Sequence, residues 1–452
     1  MRRSRFSVFV FLVALAMGAR AANAQEPGRY PAALNLAQAV EIALRENPSL
    51  SASQSQVEIA EQRVVQGRAG FLPRLNVSEG FQRTNNPPQV FSTKLNQERF
   101  GAEDFAIDRL NQPNAANDFA TNFTATWPLY DGGQSWHGWQ QAKLGRDAAG
   151  QALERMRQQI IARTTAAYAG VQLARESLAV VEAAMVASRS HLAAAETRYS
   201  SGLAVKSDLL QAQVRLADLQ QQKFLAESQV EVARSALNAV MGVPDPVRFE
   251  LSSRLEAAGA PEGALESWLA TARGQRIELK ELEVREAMAR EEIGKAQAGH
   301  LPSLDLIGNY QIHTEEFDGS ANNYSVGVVV SLNLFSGGAS SAQVAEAQAA
   351  RRQVQALRRQ MESQVFLEVR QSYTQTVSAF QRIGVAHQAV AQAEEAQRIV
   401  ANRYSSGLLT IVDLLTAEAA LQQARTAQAR ALHDYAVGKT DLRLAAGVLD
   451  EK

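Results

Sequence analysis

The 452-residue chain contains no cysteine. Disulfide frameworks, thiol nucleophiles and thiolate metal sites are therefore excluded, and so is a lipid anchor, which needs a cysteine at the mature N-terminus. Charge of one sign is lacking as well. The formal net charge is -1, which leaves no basic footprint for nucleic acid. Aromatics make up only 6% of the residues, and none of the 12 prolines falls within 134–199 or 339–404. The histidines, His137, His191, His300, His313, His387 and His433, have no metal-binding spacing and read as surface or packing residues. No phosphate-binding glycine loop or nucleophile elbow occurs, and Glu291-Glu292, Glu315-Glu316 and Glu394-Glu395 read as solvated faces or loop charges. No enzyme, cofactor or metal site is expected from these residues.

What is present begins with an address. Arg2, Arg3 and Arg5 precede an apolar stretch from Phe6 to Met17, and Ala22-Asn23-Ala24 is a cleavage site that leaves Gln25 as the mature start. The apolar stretch is too short to span a bilayer, which needs about 20 residues. Beyond the leader there is no run of 18 apolar residues, so no transmembrane helix is expected. Cleavage removes Arg2, Arg3, Arg5 and Arg20, leaving 42 basic against 47 acidic residues and a net charge of -5.

The rest is written twice. Arg198-Tyr199-Ser200-Ser201-Gly202-Leu203 recurs as Arg403-Tyr404-Ser405-Ser406-Gly407-Leu408, an offset of 205 that also carries Asp208-Leu209-Leu210 to Asp413-Leu414-Leu415 and Gly132-Gly133 to Gly337-Gly338. Upstream, Ala69-Gly70-Phe71-Leu72-Pro73 recurs as Ala298-Gly299-His300-Leu301-Pro302 at an offset of 229, so the first copy holds a 24-residue insertion. Asn85 to Asn117, rich in Asn and Pro without clean periodicity, reads as that insertion, a long loop.

The pattern divides the chain into a leader (1–24), a first repeat (25–242), a linker (243–261), a second repeat (262–447) and a tail (448–452). The first repeat reads as helices over 34–70, interrupted at Asn47-Pro48, strands at about 71–84 and 119–130, a long helix over 134–199 and a return helix over 205–242. The second reads as helices over 263–299, strands at about 301–313 and 323–335, a long helix over 339–404 and a return helix over 410–447. The strands alternate apolar and polar at membrane-spanning length, as barrel strands do. Glu79 breaks the alternation and should lie at an interface or a bulge. Trp127, Trp136, Trp139, Tyr130, Tyr310, Tyr324 and Phe335 read either as an aromatic girdle or as caps on the helix–strand junction.

A proline-free helix of that length extends about 100 Å and must run beside others. The return helix is too short to match it, so the helix before each first strand should stack end to end with it. Four strands cannot close a barrel, and open edges in lipid cost several kcal/mol per backbone group. Copies of the chain must share one barrel; two copies give a filled eight-stranded one and three give twelve strands with a lumen.

The A-G-[FH]-L-P-x-L stretches, the Gly-Gly turns and the R-Y-x-x-G-L-x-x-x-x-D-x-L tips resemble the TolC family of outer membrane efflux proteins, in family order over residues 34–447. The resemblance implies an α+β membrane protein. Each chain would give four strands to a trimeric 12-stranded outer-membrane β-barrel, and long antiparallel helices to a periplasmic α-barrel. The implied partners are two further copies, outer-membrane lipid, a periplasmic adaptor and an inner-membrane transporter of the RND, ABC or MFS class. Asp413, Tyr404 and Thr416 match positions around the family's periplasmic constriction, although Thr416 and Leu409 stand where the pattern has a second Asp and a bridging basic residue. Three carboxylates on one axis would favour cations and raise one another's pKa. Arg198, Gly202, Leu203, Asp208, Arg403, Gly407 and Leu408 match the tip positions that meet the adaptor. Asp208 and Asp413 read equally as helix N-terminal caps.

The resemblance therefore predicts a passive exit duct of a tripartite efflux pump, gated at the tips. A type I protein-secretion duct and a soluble periplasmic coiled-coil scaffold are the alternatives.

Overall fold

The computed structural model describes residues 30–31, 33–245, 247–253, 259–260, 263–316 and 321–450. The leader and part of the linker lie outside the described residues.

A two-residue strand β1 (Ala33–Leu34) leads into α1 (Leu36–Glu46) and α2 (Pro48–Ala69), then β2 (Arg74–Thr84). The following loop holds α3 (Pro87–Asn96), a 3-10 turn (Ala102–Phe105) and α4 (Ile107–Asn111). Strand β3 (Ala116–Asp131) returns to α5 (Gln134–Ser200) and α6 (Lys206–Met241). After β4 (Glu250–Leu251) come α7 (Leu265–Gln275), α8 (Ile277–Ala298), β5 (Ser303–Thr314), β6 (Ala321–Ser331), α9 (Ala339–Ser405) and α10 (Ile411–Ala446). The long helices α5 and α9 have 67 residues each, and the return helices α6 and α10 have 36 each.

Helix breaks follow local chemistry. Asn47 ends α1, accepts the Ser49 N–H at 2.8 Å to cap α2, and donates Nδ2 to the Val240 carbonyl at 2.6 Å. The last contact sets α6 directly against α2. Gly242, at φ +72°, closes the joint: a Cβ there would lie 2.5 Å from the Glu46 carbonyl oxygen. Gly447 ends α10 in the same way, its absent Cβ 2.8 Å from Gln275, while Arg276 donates to the Leu444 carbonyl at 3.1 Å. Two short helices thus continue one another beside each long one. Leu34, Ile42, Leu50, Ile160, Tyr168, Leu237, Met241 and Phe249 form the core around the first joint; Ala272, Leu279, Val365, Val369 and Leu442 form the core around the second.

The four long strands form one antiparallel sheet in the order β2-β3-β5-β6. Its register places Leu75, Val77, Phe81, Phe119, Phe123, Trp127, Leu306, Tyr310, Tyr324, Val326 and Val328 on one face. Asn76, Ser78, Gln82, Thr124, Asn122, Asp118, Asn309, Gln311, Ser325 and Asn323 lie on the other. Phe81 pairs with Phe119 at one end of the apolar face and Trp127 lies at the other, while Phe123, Tyr310 and Tyr324 line up across it between them. Phe119 and Trp127 are separated by about 27 Å along β3, close to the height of an outer-membrane apolar band.

Several expectations are corrected. Leu34 is a strand residue paired with Leu251, because β1 and β4 run parallel. The described part of the linker is packed structure, with Val243 and Phe249 buried and Asn238 donating to the Asp245 and Val247 carbonyls. The tail is anchored by Leu449, buried against Val40, Ile161 and Ala162. The strands begin at Arg74 and Ser303, after the Leu-Pro turns, and β6 stops at Ser331, leaving Asn333, Leu334 and Phe335 outside it. Glu79 sits mid-strand and accepts the Thr121 hydroxyl across the ladder; the bulge lies between Pro128 and Tyr130 instead. The insertion is folded as well: Asn86 caps α3 behind Pro87 and Pro88, Lys94 pairs with Asp104 at 2.6 Å, and Phe91, Phe100 and Phe105 stack edge to face. One 18-residue window within α5 reaches a mean hydropathy of 1.2, but α5 is a continuous 67-residue helix whose apolar positions pack on α1, α2, α6, α8 and α10.

Candidate functional site

The hairpins α5–α6 and α9–α10 end about 100 Å from the sheet, at two turns built alike. In the first, Leu203 N–H reaches the Arg198 carbonyl at 2.8 Å and Gly202 takes φ +72°. In the second, Leu408 N–H reaches the Arg403 carbonyl at 2.9 Å and Gly407 takes φ +77°. The Schellman-like geometry requires a left-handed residue, which glycine adopts without a Cβ penalty.

The surroundings of the two turns differ. Arg198 leaves its own tip and crosses to the second, where its Nη1 donates to the Tyr404 carbonyl at 2.7 Å and its guanidinium lies 5.1 Å from the Tyr404 ring. Tyr404 is only 8% exposed, packed with Ile411 and Leu414. Burial pushes its hydroxyl above the usual tyrosine range, a rise that Arg198 opposes and Asp208 reinforces. Tyr199, its counterpart, is 42% exposed.

The return helices also start differently. Thr410 and Asp413 form a capping box: the Thr410 backbone N–H and hydroxyl donate to Asp413 Oδ2 at 2.9 and 2.7 Å, and the Asp413 N–H reaches the Thr410 Oγ1 at 3.3 Å. The Thr410 hydroxyl and then its N–H hold the Asp413 carboxyl below the usual aspartate range. At α6 the cap position is Val205, which has no such side chain, and Asp208 makes no cap.

The expected site residues therefore separate. Asp413 is exposed, and both its expected roles, cap and pore carboxylate, remain compatible with that position. Tyr404 is interior rather than lining, because its ring fills the tip core. Thr416 is exposed but spends its hydroxyl on the Val412 carbonyl one turn back. Arg198 is engaged inside the chain, whereas Arg403, Gly202, Gly407, Leu203 and Leu408 are exposed; Asp208 is half-buried. Further from the tips, His191 on α5 pairs with the buried Glu418 on α10, and Arg215, Gln422 and Gln222 connect α6 to α10. Nothing in the local sequence marked these, since the partners stand some 200 positions apart. Two of the histidines pack against acidic partners on neighbouring elements: His137 meets Glu291 between helices and His313 meets Asp118 between strands. Among the acidic pairs, Glu292 takes Gln141 and Glu394 takes Arg425, so these are ties between helices as well as solvated charges.

The outer membrane efflux protein family matches residues 39–243 and 268–448. The chain belongs to this family. It is 26% identical to the proteases secretion protein PrtF of Dickeya chrysanthemi, over 93% of this chain and 89% of that one. It is 25% identical to the outer membrane protein TolC of Escherichia coli, over 92% and 83% of the respective chains. The fold matches the Campylobacter jejuni CmeC outer membrane channel with a TM-score of 0.78 at 18% identity, over 92% of this chain and 86% of that one. Family membership places the protein in the outer membrane with its helices in the periplasm. The family is one of outer membrane channels.

Proposed function

We propose that the chain is one protomer of a trimeric channel, a passive exit duct without enzymatic activity. It would receive substrates from an inner-membrane transporter through a periplasmic adaptor and be gated at the helix tips. The observation that carries this reading is the sheet. Its apolar face is exposed, its opposite face is polar, and its two edge strands, β2 and β6, have no partner on their outer sides among the described residues. Such edges are untenable in lipid and call for copies of the same chain. The offsets of 229 and 205 that relate β2 to β5 and β6 to β3 predict the missing register. The observed pair Phe123 and Tyr310 becomes Val328 opposite the partner subunit's Phe81, and Trp127 with Leu306 becomes Leu332 opposite the partner's Val77. All four of these residues are exposed in the protomer. Exposed Leu210, Val214, Phe224, Leu225 and Val232 along α6 favour a lateral neighbour too. Three copies give twelve strands, enough for a lumen.

The test is single-channel conductance of detergent-purified mature protein that sizes as a trimer, with wild type beside Asp413→Ala. Small cation-selective openings, with divalent blockade lost in the variant, are expected for a ring of Asp413 carboxylates. A detergent-independent protein that never conducts overturns the reading in favour of a periplasmic scaffold. A second reading, the exit duct of a type I secretion system, is favoured by the similarity to PrtF, whose name records protease secretion. Loss of an exported protein from the culture medium on deletion, without loss of small-toxin resistance, would select it.

A further inference from the structure

We propose that Arg403 is the tie between neighbouring protomers at the tips. It reaches from the second hairpin of one chain onto the backbone carbonyls of the partner subunit's Tyr199 and the partner subunit's Ser200. The inference rests on the trimeric reading above and adds a site that no single chain completes.

The argument starts from the contact already inside the chain. Arg198, on the first tip, donates to the carbonyls of Tyr404 and Ser405 on the second, at 2.7 and 3.5 Å. It lies over the Tyr404 ring and passes close to Gly407, where a Cβ would sit 3.4 Å from its Nη2. Every participant has a twin of the same type at an offset of 205: Arg403 for Arg198, and Tyr199, Ser200 and Gly202 for Tyr404, Ser405 and Gly407. The twin turns have the same hydrogen bonds and the same positive φ at glycine. In a closed ring of chains, first and second tips alternate. Each first tip faces its own second tip on one side, and each second tip faces the next chain's first tip on the other.

The protomer holds both halves of this second contact without joining them. The Arg403 side chain is exposed and makes no hydrogen bond or ion pair among the described residues; only its backbone carbonyl is engaged, by the Leu408 N–H. Tyr199 keeps 42% of its surface open, and a Cβ at Gly202 would meet nothing within 4 Å. The long reach and fixed donor fork of arginine suit paired backbone carbonyls at a turn. The Tyr199 carbonyl takes the Gly202 N–H at 3.0 Å, as the Tyr404 carbonyl takes the Gly407 N–H, and each has a second lone pair for a further donor. Arg403 is therefore a ring-closing residue in the resting channel, whereas Arg198 holds its tips together whether or not the ring is closed. Leu203 and Leu408, 72% and 73% exposed, are left as the outward-facing tip surface.

Because the chain has no cysteine, paired cysteines report neighbours without background. Full-length mature protein carrying Asn402→Cys and Ser200→Cys keeps both arginines. In outer membranes, a short bismaleimide should link it into dimers and trimers on a denaturing gel. Thr197→Cys with Ser405→Cys, the equivalent positions within one chain, calibrates the reach and should give an internally linked monomer. Adding Arg403→Ala should cut the interchain ladder several-fold and raise channel open probability about tenfold, as loss of a charge-assisted hydrogen bond implies. If the protein sizes as a trimer and the calibrating pair links, an absent ladder overturns the tie while the channel reading stands. A ladder indifferent to Arg403→Ala overturns it too. A protein that never sizes as a trimer fails both.

Discussion

The two hairpin tips carry the same six residues, Arg-Tyr-Ser-Ser-Gly-Leu, and share one turn geometry, yet one ends as a donor and the other as its receptor. The first tip sends Arg198 outward and leaves Tyr199 half open. The second receives that arginine, buries Tyr404, and starts its return helix on a Thr410–Asp413 box that the first tip lacks. Local sequence decides the turn, because a glycine at positive φ and carbonyls at a helix end need no distant partner. What stands beside the turn decides the rest. Two differences, Thr410 for Val205 and Ile411 for Lys206, are enough to give the second tip a cap and an apolar plug.

The comparison can be tested by substitutions at matched positions, read as amide hydrogen exchange over 198–215 and 403–420. The largest effect is expected from Tyr404→Ala. It empties the tip core and should cost about 3 kcal/mol of local stability, while Tyr199→Ala should cost under about 0.5 kcal/mol. Equal effects would mean that the twin tyrosines are equivalent. Next comes Arg198→Ala, which removes the charged donor from the Tyr404 carbonyl and leaves it the Gly407 N–H. It should lower protection at the second tip by about 1.5 kcal/mol, with little change at the first. Smaller still, Thr410→Ala should loosen the start of α10 by about 1 kcal/mol, and Val205→Thr should tighten the start of α6 by a similar amount. The smallest effect is that of pH. The folded-state pKa of Asp413 is depressed by the Thr410 donors, so its contribution is full above the ordinary carboxylate range and is lost as pH falls through the lowered value. Exchange at 411–414 should therefore rise in strong acid, and Asp413→Asn should abolish that step.

Much of the architecture was readable beforehand. Pro48 after Asn47 placed the first helix break, the proline-free stretches placed α5 and α9 within a residue of their ends, and period-two alternation placed the strands. These signals succeed because each is short-range: a missing N–H, a side-chain period, a glycine that tolerates positive φ. The insertion was harder to read, because a helix as short as α3 shows little periodicity and is held by Lys94–Asp104 and by stacked phenylalanines rather than by propensity. Glu79 was misread for a similar reason, since its partner Thr121 stands on another strand.

At the tips the division is sharper. Arg198, Tyr404, Asp413 and both glycines could be marked as tip residues from motif spacing, and the turns they make follow from backbone sterics. Whether an arginine crosses to a neighbour, and whether a tyrosine lines a surface or fills a core, depends on which helix lies alongside. The packing of α5 against α10 set the first, and Ile411 with Leu414 set the second. Local conformation was written in neighbouring residues; of the asymmetry between two identical motifs, the cap and the apolar plug came from the residues that differ just after the second turn, and the Arg198 crossing came from a contact 206 positions away.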